Sequence, residues 1–179
     1  MDNGASCYKR FLEGDENGLN EIVEMYGDHL LFFINGYVKD INLAEDIMED
    51  TFMELIVHKH HFREESSFKT YLFKIGRNKS INALKKNKRM VPIETDMEDV
   101  TKLEELIIQN DKNKHIRQAM KEINEMYAQV IHLLYFEDMS YDEIGKVLRK
   151  SNKQVKNLAY RARNALKEVL EKEGFSYEE

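Results

Sequence analysis

The sequence predicts an all-α fold of two helical modules joined by a flexible acidic linker. Apolar residues recur every three or four positions along most of the 179-residue chain, which is the spacing of amphipathic helices. One proline and eight glycines are too few for the many turns of an all-β protein. An acidic stretch that holds the only proline interrupts the helical spacing. We therefore divide the chain into residues 1–89, a linker of residues 90–112, and residues 113–179.

The first module contains three predicted helices. The first carries one apolar stripe over residues 19–37, about five turns. The second begins near Asn42, which with Glu45 fits a capping box, and has an acidic outer face. The third begins after Ser66 or Ser67 and ends in a run of lysines.

The charge of the chain is distributed unevenly. The net charge is −6, yet residues 63–89 carry nine bases and two acids, and residues 146–167 carry eight bases and no acid. Local blocks decide what the surface binds, because salt screens a charge beyond about 8 Å. Each block could be a solvated helix face, but the acid-free run favours two separate contacts with a polyanion.

The strongest pattern lies at residues 140–167. Ser140 with Glu143, and Ser151 with Gln154, fit two capping boxes that start two helices. Gly145 would let those helices approach each other closely. Two short helices joined by a tight turn form a helix-turn-helix motif.

The second helix of such a motif lies in the major groove of DNA. Gln154 and Asn157 can pair with base edges, and the cations of the outer face can neutralise phosphates. The alternative is an ordinary helical hairpin with a basic rim. The predicted contacts with duplex DNA are Ser151, Lys153, Gln154, Lys156, Asn157, Tyr160, Arg161 and Arg163.

Aromatic and cationic side chains alternate on the third helix of the first module. This pattern suits single-stranded nucleic acid, where bases stack on rings and phosphates pair with cations. The alternative is that the aromatic rings face the core, and for Phe68 and Tyr71 the pattern supports both equally. The single-strand contacts predicted from this pattern are Phe68, Tyr71, Lys74, Arg77, Asn78 and Lys79.

Both modules resemble the extracytoplasmic-function sigma factors, the small specificity subunits of bacterial RNA polymerase. The stretches SYDEIGKVL and QVKNLAYRARNALK resemble region four of that family, with Arg149 where a turn glycine is common. The stretches NLAEDIMEDTFMELI and SSFKTYLFKIGRNKSINALKKNKR resemble region two. Together the matches cover nearly the whole chain in the family's order.

The resemblance implies a transcription initiation factor that binds core RNA polymerase. Region two would open the minus-ten element of the promoter, with a loop from His61 to Ser67 capturing a flipped base. Asn82 would join Lys74, Asn78 and Lys79 in holding the non-template strand and the adjacent duplex. Region four would read the minus-thirty-five element and hold the polymerase flap with its apolar side. The linker would thread the polymerase channel, and an anti-sigma factor would hold the chain inactive. The residues implied to dock on the polymerase clamp are Asp46, Glu49, Asp50 and Phe52.

The sequence is also compatible with three other hypotheses about function. The chain could be a helix-turn-helix regulator that acts without polymerase, or a helical adaptor that binds only protein. Glu54, His58 and His61 could share a helix face as metal ligands, but no fourth ligand is evident. We expect no catalytic residue, metal or cofactor.

A cytoplasmic location is the expectation from composition. The single cysteine, Cys7, excludes an intramolecular disulfide and favours a reducing compartment. The chain has no stretch of 18 apolar residues, and its start lacks the pattern of a signal peptide.

Overall fold

A computed structural model describes residues 3–87 and 111–174 of the chain. Within those ranges the elements are eight α-helices and one short π-helix, without a strand, which confirms the all-α prediction. No helix there is both long and apolar enough to cross a membrane. The helices are α1 Asn3–Leu12, α2 Asn17–Val38, α3 Ile41–Val57, α4 Phe68–Asn87, α5 Asp111–Glu122, α6 Glu125–Ile131 with the π-helix His132–Phe136 after it, α7 Tyr141–Leu148 and α8 Asn152–Lys172.

The predicted linker is only partly covered by the described residues. Its last two residues, Asp111 and Lys112, belong to α5. The rest of the linker prediction, residues 90–110, lies outside the described part of the chain.

Helix α1, which the sequence analysis missed, packs across α2. Its inner face buries Cys7, Tyr8 and Phe11. The Tyr8 hydroxyl donates a hydrogen bond of 3.1 Å to the carbonyl oxygen of Leu55, which ties α1 to the end of α3. A Cβ atom on Gly18 would overlap the carbonyl oxygen of Cys7, so the glycine is what allows α1 and α2 to approach.

Helix α2 is the central helix of the first module. It contacts α1, α3, α4 and α6, and Ile22, Leu30 and Ile34 have no exposed surface. Helix α4 lies against it at Gly76, where a Cβ atom would be 2.9 Å from Cδ1 of Leu30. The apolar stripe predicted for residues 19–37 is therefore confirmed as the buried side of α2, except at Val23, which is 41% exposed.

The start of α3 differs from the prediction. The N-cap is Asp40, whose Oδ1 accepts a hydrogen bond of 3.1 Å from the backbone N–H of Leu43. Asn42 lies inside the helix, so the capping box predicted for it is wrong. The reason is that α2 ends at Val38, and its C-cap residue, Lys39, lies in the left-handed region with φ of 56°. The chain therefore turns at once, and α3 starts two residues earlier than expected.

Two capping boxes define the helix-turn-helix, as predicted. The Ser140 side chain accepts from the backbone N–H of Glu143, and the Glu143 carboxylate accepts from the backbone N–H of Ser140. Ser151 and Gln154 form the same reciprocal pair at the start of α8. Each box satisfies two backbone donors that the first helical turn leaves open.

The turn between α7 and α8 is tight at two positions. A Cβ atom on Gly145 would lie 2.6 Å from the carbonyl oxygen of Lys150, so the close approach expected at Gly145 is made by the turn and not by α8. Arg149 ends α7 in the left-handed region, with φ of 55° and ψ of 51°. Non-glycine residues are strained in that conformation.

The two modules share one hydrophobic core within the described residues. The His132 ring of the π-helix stacks on Phe33 of α2, with centroids 5.8 Å apart. The Arg117 guanidinium of α5 lies over the rings of Phe32 and Phe136, 4.9 and 5.0 Å from their centroids. Helix α4 also packs against α7. The modules are therefore in direct contact in this structure.

Glu137 is the charged centre of that contact, and its side chain is 1% exposed. His29 of α2 donates a hydrogen bond from Nδ1 to Oε1 of Glu137 at 2.7 Å. Nε2 of His132 lies 3.1 Å from the same oxygen. The Lys69 ammonium donates to the Glu137 carbonyl oxygen at 2.8 Å and lies 3.6 Å from Oε2.

The surroundings of Glu137 shift three pKa values. Burial alone would raise the pKa of Glu137, but its contacts with His132 and His29 outweigh burial and bring it to about 2. The same contact raises the pKa of His29, which is half exposed. Burial lowers the pKa of His132. The carboxylate is therefore ionised, and His29 rather than His132 is the imidazole that gains a proton beside it.

Replacing the strained residue of the turn should stabilise the protein. We expect Arg149→Gly to raise the free energy of unfolding by about 1 kcal/mol, because glycine removes the cost of a left-handed backbone. Urea denaturation measures the change. Lys150→Gly is the matched control, since it removes the same charge at a residue without positive φ and should lower stability. Equal effects of the two variants would contradict the assignment of strain to Arg149.

Acid should weaken the contact between the modules through Glu137. Its folded pKa of about 2 lies below the ordinary value of 4.5. The stabilisation is therefore complete above pH 4.5 and is lost as pH falls through about 2. Urea denaturation at a series of pH values between 5 and 2 should show this loss, and Glu137→Gln should show a shallower dependence. Parallel curves for the two proteins would contradict it.

Candidate nucleic-acid interfaces

The outer face of α8 is a continuous exposed surface. Val155, Ala159 and Ala162 have no exposed area and hold the helix against α5, α6 and α7. On the opposite side every residue predicted to contact duplex DNA is exposed: Ser151, Lys153, Gln154, Lys156, Asn157, Tyr160, Arg161 and Arg163. The structure therefore brings this whole predicted set to one face.

Two members of that set also have internal roles. Oε1 of Gln154 accepts a hydrogen bond from the backbone N–H of Ser151 at 2.8 Å. The amide oxygen of Gln154 is therefore engaged in the helix cap, whereas Asn157 takes no part in that cap. Nε of Arg163 donates to the hydroxyl of Tyr135 at 2.7 Å, and Nη2 donates to Tyr141 at 3.0 Å. These hydrogen bonds raise the pKa of Arg163 and fix its guanidinium at the edge of the DNA-facing surface.

Tyr135 and Tyr141 were missed by the sequence analysis. Tyr135 is 58% exposed and precedes Arg163 by 28 residues. No local pattern links residues so far apart, and the π-helix that turns Tyr135 toward α8 was not predicted either.

The predicted single-strand contacts on α4 differ in how much of each side chain is exposed. Ser67 caps the helix, since the backbone N–H of Thr70 donates to its Oγ at 3.2 Å. Lys79 is half-buried and paired with Glu54 of α3 at 3.3 Å. Half-buried members are Tyr71, Arg77, Asn78 and Lys79, and fully exposed members are Lys74 and Asn82.

The prediction that Phe68 contacts a base is wrong for this conformation. Phe68 has no exposed surface. Its ring packs against Tyr8, Tyr26 and Phe62, at centroid distances of 5.2, 6.1 and 5.4 Å. It faces inward because it begins the stripe that continues at Leu72. Tyr71, three residues after Phe68, lies half-buried beside Phe62. Of the two aromatic residues in the predicted set, it is the one that is open to solvent.

The outer face of α3 is acidic and partly apolar. Asp46, Glu49 and Asp50 are exposed, as predicted for a docking face. Phe52 was predicted with them, but it is 7% exposed and belongs to the core, so that assignment is corrected. Its position three residues before Leu55 places it on the inner stripe.

Two exposed apolar residues of α3 were missed. Met53 and Val57 are 49% and 64% exposed, and residues four apart lie on the same face of a helix. A spacing of four also occurs in buried stripes, so the sequence alone could not separate them from the core.

The histidine cluster forms no metal site in the described residues. The rings of His58 and His61 stack with centroids 5.0 Å apart, but Glu54 is shared between His58 and Lys79. No group of three potential ligands is placed to hold a metal in the ranges that the structure describes.

A helix-turn-helix with an exposed basic helix, joined to a second helical unit with a cationic aromatic face, defines a DNA-binding transcription factor. Family models agree with the two modules: sigma-70 region 2 matches residues 22–90, and sigma-70 region 4 matches residues 114–166. Together the two models cover more than half of the chain. The chain therefore belongs to the sigma-70 family of RNA polymerase sigma factors, in its extracytoplasmic-function subfamily.

Curated relatives and solved structures agree with this assignment. The chain is 29% identical to the ECF RNA polymerase sigma factor SigM of Bacillus subtilis, over 83% of this chain and 93% of the relative. It is 25% identical to SigW of the same species, over 90% and 94%. The fold resembles CnrH solved with the cytosolic domain of CnrY, with a TM-score of 0.67 at 20% identity over 95% and 98% of the two chains. It also resembles RpoE of Bartonella quintana solved with the anti-sigma factor NepR, with a TM-score of 0.66 at 20% identity over 85% and 96%.

The family membership decides between the functional hypotheses that the sequence left open. The chain is a promoter-directing factor of RNA polymerase, and not a helix-turn-helix regulator that acts without polymerase. The named relatives are RNA polymerase sigma factors, and the match to this chain covers most of the length of each.

The burial of Phe68 leads to a prediction about the stability of the folded protein. We expect Phe68→Ala to lower the free energy of unfolding by about 3–5 kcal/mol, as for other buried phenylalanines. Tyr71→Ala should lower it by much less, because Tyr71 is only half-buried. Urea denaturation of both variants tests the difference, and equal losses would contradict the placement of the two rings.

Proposed function

We propose that the two modules contact one promoter in different states of the DNA. Residues 113–179 would read the duplex of the minus-thirty-five element, and residues 1–89 would bind the parted strands of the minus-ten element. The family matches to residues 22–90 and 114–166 support this division. The observation that carries the proposal is the exposed face of α8, within an acid-free run of 22 residues.

On the duplex side, α8 would lie in the major groove. Asn157 is the better candidate for base readout, since the amide oxygen of Gln154 is engaged in the cap. Lys153, Lys156 and Arg161 would pair with phosphates. Arg163, held by two tyrosine hydroxyls, would meet the backbone with little loss of side-chain freedom.

On the single-strand side, Tyr71 would provide the stacking surface. Lys74 and Asn82 are exposed on the same helix and would hold the strand with Asn78. The loop from His61 to Ser67 would receive the flipped base. Stacking of one base on an aromatic ring contributes about 1–3 kcal/mol, which offsets the few kcal/mol that unstacking costs.

The acidic face of α3 would dock on the polymerase clamp through Asp46, Glu49 and Asp50. Met53 and Val57 would add apolar area beside the charges, as in interfaces with an apolar centre and a polar rim. The linker would pass along the polymerase channel, and the factor would act in the cytoplasm without chemistry of its own. Because RpoE of Bartonella quintana was solved with an anti-sigma factor, we propose control of this chain by a regulator of that kind.

Promoter opening should depend on Tyr71 more than promoter binding does. With core polymerase and a promoter found by start-site mapping, we expect Tyr71→Ala to slow strand opening roughly 5- to 150-fold, the equivalent of 1–3 kcal/mol of stacking. The closed complex should form with nearly unchanged affinity. Permanganate reactivity of minus-ten thymines measures opening, and a filter-binding assay measures the closed complex.

Tyr71→Phe is the matched control, because it keeps the ring and should open the promoter normally. Equal loss of binding and of opening in Tyr71→Ala would contradict a stacking role for this residue.

A further inference from the structure

An exposed tyrosine and an exposed arginine lie beside each other at the edge of the duplex-facing surface. Tyr135 of the π-helix is 58% exposed, and Arg163 of α8 is exposed as well. Nε of Arg163 donates to the Tyr135 hydroxyl at 2.7 Å, and its guanidinium carbon lies 5.9 Å from the centroid of the same ring. Two separate helices therefore contribute to one polar cluster that is open to solvent.

The π-helix brings Tyr135 to this side of the module. His132 and Leu133 at its start are buried, whereas Tyr135 faces outward. The turn is wide, since the backbone N–H of Glu137 donates to the carbonyl oxygen of His132 at 3.2 Å, five residues back. Such wide turns are rare in proteins and occur frequently at functional sites. The local backbone thus favours a role for Tyr135 outside the core.

The guanidinium of Arg163 is fixed at two points. Besides the bond to Tyr135, Nη2 donates to the hydroxyl of Tyr141 at 3.0 Å. A guanidinium has five N–H donors, and these two hydrogen bonds use two of them. Both acceptors are hydroxyls, so neither neutralises the positive charge. Three donors and the charge are left for an anion, in an orientation that is already set.

The Tyr135 hydroxyl is also left with a donor. A tyrosine hydroxyl accepts through its oxygen and donates through its single hydrogen. Here the oxygen accepts from Arg163, so the hydrogen points elsewhere, and the exposure of the side chain lets it reach a ligand. One phosphate has enough acceptor oxygens for this hydroxyl and for the charge-assisted bonds of the guanidinium.

The position of the cluster along α8 indicates a contact with the DNA backbone and not with bases. Arg163 follows Gln154 by nine residues, which is about 13.5 Å along the helix axis. The first turns of a recognition helix contact base edges, and over such a length a straight helix moves away from the base edges of a curved groove. Side chains beyond that point meet phosphates, which set the register of a protein on the duplex.

We propose that Tyr135 and Arg163 together bind one phosphate of the promoter duplex, at a position that we call the phosphate site. The proposal rests on the duplex role proposed for α8 and adds to it a contact from outside the recognition helix. Arg163 supplies the charge, and Tyr135 supplies a second donor and orients the guanidinium. Because Tyr135 precedes α7 and Arg163 lies in α8, the phosphate site fixes the helix-turn-helix on the duplex from both sides.

Ethylation interference locates the phosphate site on DNA. The experiment uses the chain bound to core polymerase, on a promoter found by start-site mapping. Ethylation removes the charge of a single phosphate, so it weakens binding wherever the protein contacts that phosphate. We expect one phosphate beside the minus-thirty-five element at which ethylation weakens binding of the parent, but not of Tyr135→Phe or Arg163→Gln. Lys156→Gln is the matched control, which should lose sensitivity at a different phosphate and keep this one.

The affinity of the same complexes for the promoter measures the coupling between the two residues. We expect Tyr135→Phe to lower the affinity about 2- to 12-fold, as for the loss of one hydrogen bond, with an unchanged salt dependence because no charge is removed. Arg163→Gln should also reduce the slope of log affinity against log salt by about 0.9. In the Arg163→Gln background Tyr135→Phe should have a much smaller effect, because the two residues share one ligand.

A purely structural role of Tyr135 would give different results. If Tyr135 only ties the π-helix to α8, Tyr135→Phe lowers the stability to urea and leaves the ethylation pattern of the parent, which overturns the proposal. Independent, additive losses of affinity in the two variants overturn the shared phosphate. Tyr127→Phe is the control for a lost hydroxyl, since Tyr127 packs against Met120, Ile131 and Ala162, and it should change neither pattern nor affinity.

Failure of the proposed duplex role is distinguishable from failure of the phosphate site. If α8 does not bind the duplex, Lys156→Gln also leaves the affinity and every phosphate unchanged, and both proposals fall. If Lys156→Gln weakens binding while Tyr135→Phe does not, only the phosphate site is overturned.

Discussion

The structure depends on how the surface of α4 is divided between its contacts with α1, α2, α3 and α7 and the solvent. One side of the helix, with Phe68, Leu72 and Phe73, is completely buried. A second side meets α7 of the other module. Only the remaining stripe, which includes Lys74 and Asn82, is exposed. Because the other sides of α4 are covered, only the side chains of this exposed stripe can reach a single strand.

Electrostatics refine this picture of the basic surfaces. The basic block of residues 63–89 is not wholly available, because Lys79 pairs with Glu54 and Lys69 with Glu137. On α8, by contrast, Arg163 is held by tyrosine hydroxyls and not by a carboxylate, and the ion pair of Lys167 with Glu171 lies outside the predicted DNA contacts. The duplex-facing surface is therefore the more strongly cationic of the two, although both blocks look similar in the sequence.

What could be predicted from the sequence followed from local interactions. Both capping boxes of the helix-turn-helix join residues three apart, and periodicity alone showed the buried stripe of α2. Phe52 and Phe68 could not be assigned, because an aromatic ring at helical spacing suits a core and a binding face equally well. Glu137 gave no signal, since its partners His29 and Lys69 lie 108 and 68 residues away. Long-range contacts of this kind are visible only once the helices are packed.

The central claim is that one chain with two DNA-facing modules directs RNA polymerase to its promoters. Start-site mapping of run-off transcripts tests it most directly, with core polymerase on fragmented genomic DNA, in the presence and absence of the purified chain. Our account predicts a new set of start sites that share upstream elements at a constant separation, because polymerase sets the distance between the modules. Start sites identical with and without the chain would contradict it.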